Sequence, residues 1–226
     1  MSKTYVDLCE PINNEHFRYG GFIQQWEFTK DGKTKMVPYM NLSHGFTHID
    51  APRHMAPDGK VLEDFDLLSF LIGKASVLDV SHYIKPNQAI TEEMVKEAFE
   101  GCEYTDFLLI KTSWGTQRSS SSPEFWSESP YITPEAVAFL VSLNPKVVGF
   151  DFPQDYAVRL GSGVPMTPET APTHYQILPN DILMIEYMTN LWSIPEGIKN
   201  VDIYALPLKI SVPDLDCAQI RVVAAY

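Results

Sequence analysis

Apolar residues recur along the chain in short runs, and these runs predict several buried strands. Three runs are almost continuously apolar, FLLIK, VVGF and ILMIE, which is typical of strands covered on both faces. High β-branched and aromatic content predicts further strands elsewhere. The predicted strands are Thr4–Leu8, Phe22–Phe28, Ala75–Val80, Asp106–Thr112, Lys146–Asp151, Asp181–Tyr187 and Ala218–Ala224.

Two segments combine a helical apolar pattern with clear start and stop signals. Thr91 can cap a helix over Glu92–Glu100. Thr133 can cap a second helix that has Pro134 at its first position and is ended by Pro145 and the residue before it. Both helices lie between predicted strands, and no linker divides the sequence. We therefore predict one mixed α/β domain over residues 1–226.

The charge balance of the chain excludes some classes of partner. The 226 residues include 17 basic and 29 acidic side chains, with a formal net charge of -12. Nucleic-acid binding needs clustered Lys and Arg, so we expect no nucleic-acid partner. No apolar run approaches the ~20 residues of a membrane span, and the first residues lack a signal-peptide pattern. We therefore expect a cytoplasmic protein with no membrane partner.

Cysteine usage adds little to this picture. Cys9, Cys102 and Cys217 are widely separated and odd in number, which fits neither a disulfide framework nor a cysteine-rich zinc site. We treat them as incidental.

The segment Ser43–Met55 concentrates three of the six histidines, His44, His48 and His54, together with Asp50. Imidazole nitrogen and carboxylate oxygen are ligands of zinc, manganese and iron, so the segment predicts a metal site. Glycine, proline and β-branched residues disfavour a helix here. In an extended segment, His44, His48 and Asp50 point to one side because side chains alternate with period two.

Other polar residues are weaker candidates for the same site. His174 lies at the start of a short helical pattern that Thr173 can cap, and Glu186 ends an apolar strand. His16 and His82 have no partner pattern and are interpreted as surface residues. The turn-rich residues 113–130 form either a surface loop or a lid, and the sequence leaves both open.

The spacing HxxTHxDxPxH, from His44 to His54, resembles the signature of the cyclase family of metal-dependent hydrolases. That family includes bacterial kynurenine formamidase (arylformamidase) and isatin hydrolase. Weaker similarity occurs in the expected order along nearly the whole chain, in YVDLCEPI, VVGFD, HYQIL, IEYMTNL and LPLKI.

The resemblance implies a fold, a cofactor and roles for particular residues. The implied fold is a swivelling β/β/α arrangement, a barrel-like mixed sheet with flanking helices, assembled as a homodimer or homotetramer. The implied cofactor is a divalent metal, one or two Zn²⁺ ions or Mn²⁺. His54 matches the catalytic histidine of the family, and the implied metal ligands, with Asp50 bridging, are His44, His48, Asp50, His174 and Glu186.

Two departures from the family pattern fall at substrate-facing positions. Phe46 stands where the family commonly has glycine, and Gln154 follows Pro153 where a serine is usual. We expect Phe46 and Gln154 to contact the substrate. Trp114 and Trp126 are further candidates for holding an aromatic ring.

These observations favour a metal-dependent hydrolase of an amide C–N bond. The metal would activate a water molecule, and His54 would act as general acid and base. N-formylkynurenine, an aromatic amide, is the expected kind of small-molecule substrate, and a cyclic amide or lactone, as in isatin hydrolase, is the alternative. A non-haem iron oxygenase using His48, Asp50 and His174 remains open, as does a non-catalytic binding protein.

Overall fold

The computed structural model describes residues 2–20, 24–25, 28–30, 34–36, 39–40 and 42–226. The predicted strand Phe22–Phe28 falls largely outside these residues, and only 24–25 and the start of a strand at Phe28 are described. The described strands are β1 Tyr5–Asp7, β2 Gln24–Gln25, β3 Phe28–Lys30, β4 Thr34–Met36, β5 Tyr39–Met40, β6 His48–Asp50, β7 Ile72–Asp79, β8 Ala89–Ile90, β9 Phe107–Lys111, β10 Tyr131–Ile132, β11 Val147–Phe150, β12 Leu183–Glu186, β13 Asn200–Pro207 and β14 Cys217–Ala225. The described α-helices are α1 Leu67–Leu71, α2 Glu92–Phe99, α3 Pro123–Ser127, α4 Pro134–Ser142 and α5 Pro172–Gln176.

Seven strands close into a mixed barrel in the order β14, β13, β7, β9, β11, β12 and β6. The last strand, β6, pairs with both β12 and β14, and this double pairing closes the ring. Neighbours among β7, β9, β11 and β12 are parallel, and the other neighbours in the barrel are antiparallel. β1 pairs antiparallel with β14. The predicted mixed α/β class with a barrel-like sheet and flanking helices is confirmed.

The barrel strands bury apolar side chains on both faces, which explains their continuous apolar runs. One core cluster contains residues from all seven barrel strands and fills the barrel interior, among them Ile49, Val77, Leu109, Ile185 and Ala218. A second cluster joins the outer face of the parallel strands to the helices. It includes Val95 and Ala98 of α2 and Ala136, Val137 and Leu140 of α4.

The two longest helices begin and end close to where the sequence places them. Thr133 accepts a hydrogen bond from the backbone N–H of Ala136 and caps α4, as predicted. Thr91 occupies the N-cap position of α2 in extended conformation, although its side chain makes no capping hydrogen bond. No described helix has the length and apolar character needed to cross a membrane.

Two strands of the barrel, β13 and β6, are not among the predicted strands. β13 alternates partly exposed and buried residues over its first six positions, and the apolar residues Val201, Ile203 and Ala205 carry this period-two pattern in the sequence. β6 has only three residues, too few for any periodic signal, and it exists because two neighbouring strands pair with it.

The sequence allows segment 113–130 to be either a loop or a lid. In the structure it packs into the second core cluster, here called the helix-side core. It contains α3, and the side chains of Trp114, Phe125 and Trp126 are all buried in that cluster. Asp151 accepts hydrogen bonds from the backbone N–H groups of Thr112 and Ser113, which fixes the start of the segment.

Ile49 tests how strongly the barrel depends on β6. Its side chain is fully buried in the barrel interior, so we expect Ile49→Ala to lower the free energy of unfolding by about 2–5 kcal/mol. Ile49→Val removes a single methylene and should cost only about 0.5–1.5 kcal/mol. Urea unfolding of both variants measures the difference, and equal stability of the two would show that β6 is not packed as described.

Candidate metal centre

The short strand β6 presents His48 and Asp50 on the outer face of the barrel while Ile49 points inward. His48 pairs with Glu186 of β12, and this pairing brings the three polar side chains together. His48 Nε2 lies 3.3 Å from Asp50 Oδ1 and 3.3 Å from Glu186 Oε2. The predicted same-side placement of His48 and Asp50 therefore holds in the structure.

His44 reaches this group from a bend rather than from a strand. The expected extended conformation from His44 onward is wrong, because residues 43–47 turn and Phe46 has a φ of 59°. The bend nevertheless carries the imidazole to the cluster, with His44 Nδ1 3.1 Å from Asp50 Oδ1. Its other ring nitrogen, Nε2, lies 3.2 Å from Asp216 Oδ2.

His54 sits in a single turn of 3₁₀ helix, Pro52–His54, directly after β6. Its ring centroid is 4.2 Å from that of His44 and 5.6 Å from that of His174. Its Nδ1 lies 2.8 Å from Asp216 Oδ2. Asp216 is a residue that the sequence analysis missed, since it lies 162 positions from His54 and immediately precedes β14.

His174 lies in α5 with its ring fixed by a second missed residue, Asp155. His174 Nδ1 is 2.6 Å from Asp155 Oδ2, and its Nε2 is 3.7 Å from Glu186 Oε1. Thr173 is not the predicted cap, because Ala171 occupies the N-cap position and the Thr173 hydroxyl donates to Asp155 Oδ2 at 2.7 Å. Asp155 thus holds the start of α5 and orients the ring of His174.

Gln154 and Phe46 border the cluster in different ways. Gln154 is fully buried, and its amide nitrogen donates to Glu186 Oε1 and to Thr173 Oγ1. Phe46 is also buried, and its carbonyl oxygen lies 2.8 Å from His48 Nδ1. This contact directs the other nitrogen of His48 toward Asp50 and Glu186.

The donor atoms fall into four groups in which each atom lies within 4.8 Å of the others. Asp50 belongs to three of them. The groups are His48, Asp50 and Glu186; Asp50, His54 and His174; His44, Asp50 and Cys217; and His44, His54 and Asp216. This arrangement places every ligand implied by the resemblance in one cluster, in which three of the four groups share Asp50.

Three buried atoms at the centre of the cluster lack hydrogen bonds to the described residues. His48 Nε2 and both carboxylate oxygens of Asp50 are buried and make no hydrogen bond in the described part of the chain. A buried carboxylate that accepts no hydrogen bond costs several kcal/mol unless positive charge compensates it. Nitrogen and oxygen donors of this kind fit zinc, manganese or iron, so these residues fit a divalent metal.

The electrostatic field of the cluster also favours a cation. Burial lowers the pKa of His174, but the hydrogen bond with Asp155 and the charge of Glu186 outweigh it and raise the pKa to about 9. Burial likewise opposes protonation of His44, whose pKa is nevertheless raised by Asp216 and Asp50. Hydrogen bonds from His44 and His54 lower the pKa of Asp216. The carboxylates thus attract positive charge, whether as protons or as a metal ion.

Two adjoining cavities lie at the cluster or beside it. One of about 380 Å³ is lined by His44, His54, His174 and Glu186, with Arg18 among its other lining residues. The other, of about 280 Å³, has an aromatic wall made of His16, Tyr19, Phe46, Phe125, Trp126 and Tyr187. Tyr19 and Tyr187 line both cavities.

The interpretation of His16 as a surface residue is wrong. Its ring is 3% exposed and packs 5.0 Å from the rings of Tyr19 and Phe46. Burial lowers the pKa of His16 to about 4, so it is neutral at pH 7 and acts as part of the aromatic wall. His82 is exposed, as expected.

With this geometry known, comparison with other proteins decides the family. A family model described as "Putative cyclase" matches residues 6–154, well over half of the chain. The chain belongs to the cyclase family. The resemblance that the histidine motif carries is therefore confirmed.

Individual relatives agree with this assignment. Kynurenine formamidase from Bacillus mycoides (strain KBAB4) is 26% identical over 227 residues, covering 98% of this chain and 97% of the relative. An isatin hydrolase bound to the product analogue thioisatinate aligns with a TM-score of 0.80 at 21% identity, over 99% of this chain and 92% of that chain. A predicted metal-dependent hydrolase from Bacillus stearothermophilus aligns with a TM-score of 0.74 at 24% identity, over 100% of this chain and 99% of that chain. These structures share the fold of this cyclase-family chain.

Asp50 provides the first test of the metal centre. Because zinc that binds only the folded state stabilises it, zinc at 100 times its Kd should raise the free energy of unfolding of the natural protein by about 2.7 kcal/mol. Asp50→Asn should lose most of this gain. Asp214→Asn, at a side chain that is 76% exposed, is the matched control and should keep it. Unfolding curves with and without zinc measure this gain for each variant. If zinc stabilises the Asp50→Asn variant as much as the natural protein, Asp50 is not a metal ligand.

Phe46 provides a second test, of the bend that positions His44. The residue combines a buried ring with a φ of 59°, a conformation that favours glycine. Phe46→Gly and Phe46→Ala remove the same ring, yet only alanine keeps the strain of the left-handed conformation. We expect both variants to be destabilised, with Phe46→Gly more stable than Phe46→Ala by about 1 kcal/mol. Equal stability, or a more stable alanine variant, would show that the bend is not left-handed at this position.

Proposed function

We propose that this protein is a metal-dependent hydrolase that cleaves an amide C–N bond of a small aromatic substrate, as an arylformamidase does. The observation that carries the proposal is the cluster of imidazole and carboxylate groups, which lines one cavity and lies beside a second cavity with an aromatic wall. The name of the Bacillus mycoides relative, kynurenine formamidase, supports an N-formyl aryl amide such as N-formylkynurenine.

The residues that would hold the metal are those whose donor atoms converge. His44, His48 and Asp50 would form one set, and Asp50 would bridge to His174 and Glu186. When bound, a divalent ion lowers the pKa of water from ~15.7 to about 7 and polarises a carbonyl oxygen. Zn²⁺ is the proposed ion, and Mn²⁺ is the alternative for a set of this kind.

His54 is proposed as the general acid and base. Its Nδ1 faces Asp216, and a hydrogen bond donated from Nδ1 to the carboxylate leaves Nε2 as the basic nitrogen. Asp216 also stabilises the imidazolium that forms when His54 takes a proton from the attacking water. His54 then delivers this proton to the departing nitrogen, which leaves as an amine rather than as an unstable anion.

The surrounding side chains are proposed to orient the reacting groups and the substrate. Asp155 fixes the ring of His174, and Gln154 holds the carboxylate of Glu186 through its amide. Because the side chain of Gln154 is fully buried, we propose that it acts on the substrate indirectly, by positioning the carboxylate of Glu186. The ring of Phe46 and the neighbouring Trp126 are proposed to border the aryl group of the substrate.

A cyclic substrate is the second candidate within the same chemistry. The structural neighbour bound to thioisatinate is an isatin hydrolase, which supports a cyclic amide or lactone. The same set of residues would serve it, because ring opening also needs an activated water and a proton for the leaving atom.

The oxygenase alternative is less well supported by the arrangement of the cluster. His48, Asp50 and His174 do lie in it, but so do His44 and His54, which a two-histidine, one-carboxylate triad does not use. The barrel also mixes parallel strands with helices, whereas oxoglutarate-dependent oxygenases use an all-β jelly roll. A purely binding function would leave the His54–Asp216 pair without a role.

Turnover of N-formylkynurenine and of isatin tests the proposed function. We expect hydrolysis of at least one of them, its loss on chelation and its return when zinc or manganese is restored. His54→Ala should reduce kcat by about 100- to 10,000-fold while elemental analysis shows retained metal. His82→Ala removes an exposed histidine and should leave turnover unchanged.

Two outcomes would contradict the proposal. Bound metal with no turnover of either compound would exclude the proposed substrates, and full activity of the His54→Ala variant would exclude its role as acid and base. Assembly as a homodimer or homotetramer and a cytoplasmic location stay predictions.

A further inference from the structure

Cys217, which the sequence analysis treats as incidental, lies inside the proposed metal centre. It is the first residue of β14 and is directly opposite Asp50 of β6 in an antiparallel pair. Directly opposed residues project their side chains to the same face of a sheet, with Cβ atoms about 4.5–5.5 Å apart. The next pair, Ala218 and Ile49, points into the barrel interior. The thiol of Cys217 is therefore on the face that carries Asp50.

The distances place the sulfur among the donor atoms. Cys217 Sγ, a ring nitrogen of His44 and a carboxylate oxygen of Asp50 all lie within 4.8 Å of one another. Two ligand atoms of one tetrahedral zinc ion are about 3.3–3.8 Å apart, given metal–ligand bonds of about 2.0–2.3 Å. A small movement of side chains would thus bring the three atoms onto one ion.

The surroundings of the three cysteines differ in a way that singles out Cys217. Cys9 and Cys102 pack against the two apolar clusters. Cys217 is fully buried but belongs to neither cluster, although a buried cysteine that has only a packing role is expected to lie among apolar side chains. Both carboxylate oxygens of Asp50 beside it are buried and make no hydrogen bond in the part of the chain that the structure describes. The polar atoms around the thiol thus point to a cation rather than to packing.

We infer that Cys217 is a sulfur donor of the metal centre and that it makes the site selective for zinc over manganese and magnesium. This inference rests on the proposed function, since it concerns the same metal. Sulfur is a soft ligand that favours zinc, whereas manganese and magnesium favour oxygen ligands. The thiol proton is released to solvent when the sulfur binds the ion.

Cobalt substitution tests the inference without reference to activity. The full-length protein loaded with Co²⁺ should show a sulfur-to-cobalt charge-transfer band in the near ultraviolet in addition to the visible d–d bands. Cys217→Ser should lose the charge-transfer band and keep the d–d bands, because the histidines and carboxylates remain. Cys102→Ser, at a half-buried cysteine packed against the helix-side core, is the matched control and should keep both.

Competition between zinc and manganese measures how much Cys217 contributes to zinc affinity. Cys217→Ser should weaken zinc binding by about 10- to 100-fold, with a smaller change for manganese, so that the preference for zinc decreases. X-ray absorption of the unmodified zinc protein provides a measurement that does not depend on folding of the variant. It should show a sulfur neighbour at about 2.3 Å beside nitrogen and oxygen neighbours at about 2.0–2.2 Å.

The outcomes separate this inference from the proposed function. Cobalt bound with d–d bands but no charge-transfer band, or zinc with only nitrogen and oxygen neighbours, would overturn the role of Cys217 and leave the hydrolase proposal intact. A charge-transfer band that persists in Cys217→Ser would also overturn it. Failure of the protein to bind cobalt or zinc at all would overturn both.

Discussion

The three residues of β6 hold this structure together, because their two rows of backbone hydrogen bonds, to β12 and to β14, close the barrel. The pleat of the same strand sends Ile49 into the barrel interior and His48 and Asp50 to the opposite face. One short strand therefore packs the core and carries two of the central donor residues. A shift of one residue in its register would turn the two polar side chains into the barrel interior and Ile49 out of it.

The cluster around β6 brings buried carboxylates and imidazoles close together. Asp50 and His48 have no exposed surface, and although burial opposes protonation of His44 and His48, the neighbouring carboxylates raise the pKa of both histidines. Such a group is stabilised by compensating positive charge, so the folded state gains from whatever cation enters it. This relation links folding, metal binding and the proposed hydrolysis in one set of contacts, and it explains why a stability measurement can report on the proposed site.

Outer carboxylates complete the arrangement. Asp155 lies within hydrogen-bond distance of Nδ1 of His174, and Asp216 lies within hydrogen-bond distance of Nδ1 of His54. Each contact fixes the orientation of the ring and leaves Nε2 free to face the cluster. Both aspartates come from loops at the ends of elements, Asp155 after β11 and Asp216 before β14. The rigid barrel brings these loops to β6, so the orientation of each histidine depends on the closure of the barrel.

The sequence by itself determined the local features of this protein. Apolar runs identified β9, β11 and β12, cap residues identified α2 and α4, and the crowding of histidines with Asp50 identified the segment of the candidate site. These features depend on neighbours in the chain, and periodicity and composition report on such neighbours directly.

Only the tertiary structure decided what depends on distant pairing. It placed Asp155, Asp216 and Cys217 beside the histidines, formed β6 between its two neighbours, and buried His16 in an aromatic wall. Helix and strand periodicity relates positions only a few residues apart, whereas Asp155 lies 19 positions from His174 and Asp216 lies 162 positions from His54. A single cysteine or aspartate carries no periodic signal. Their positions follow from the closure of the barrel, which is a property of the whole sheet.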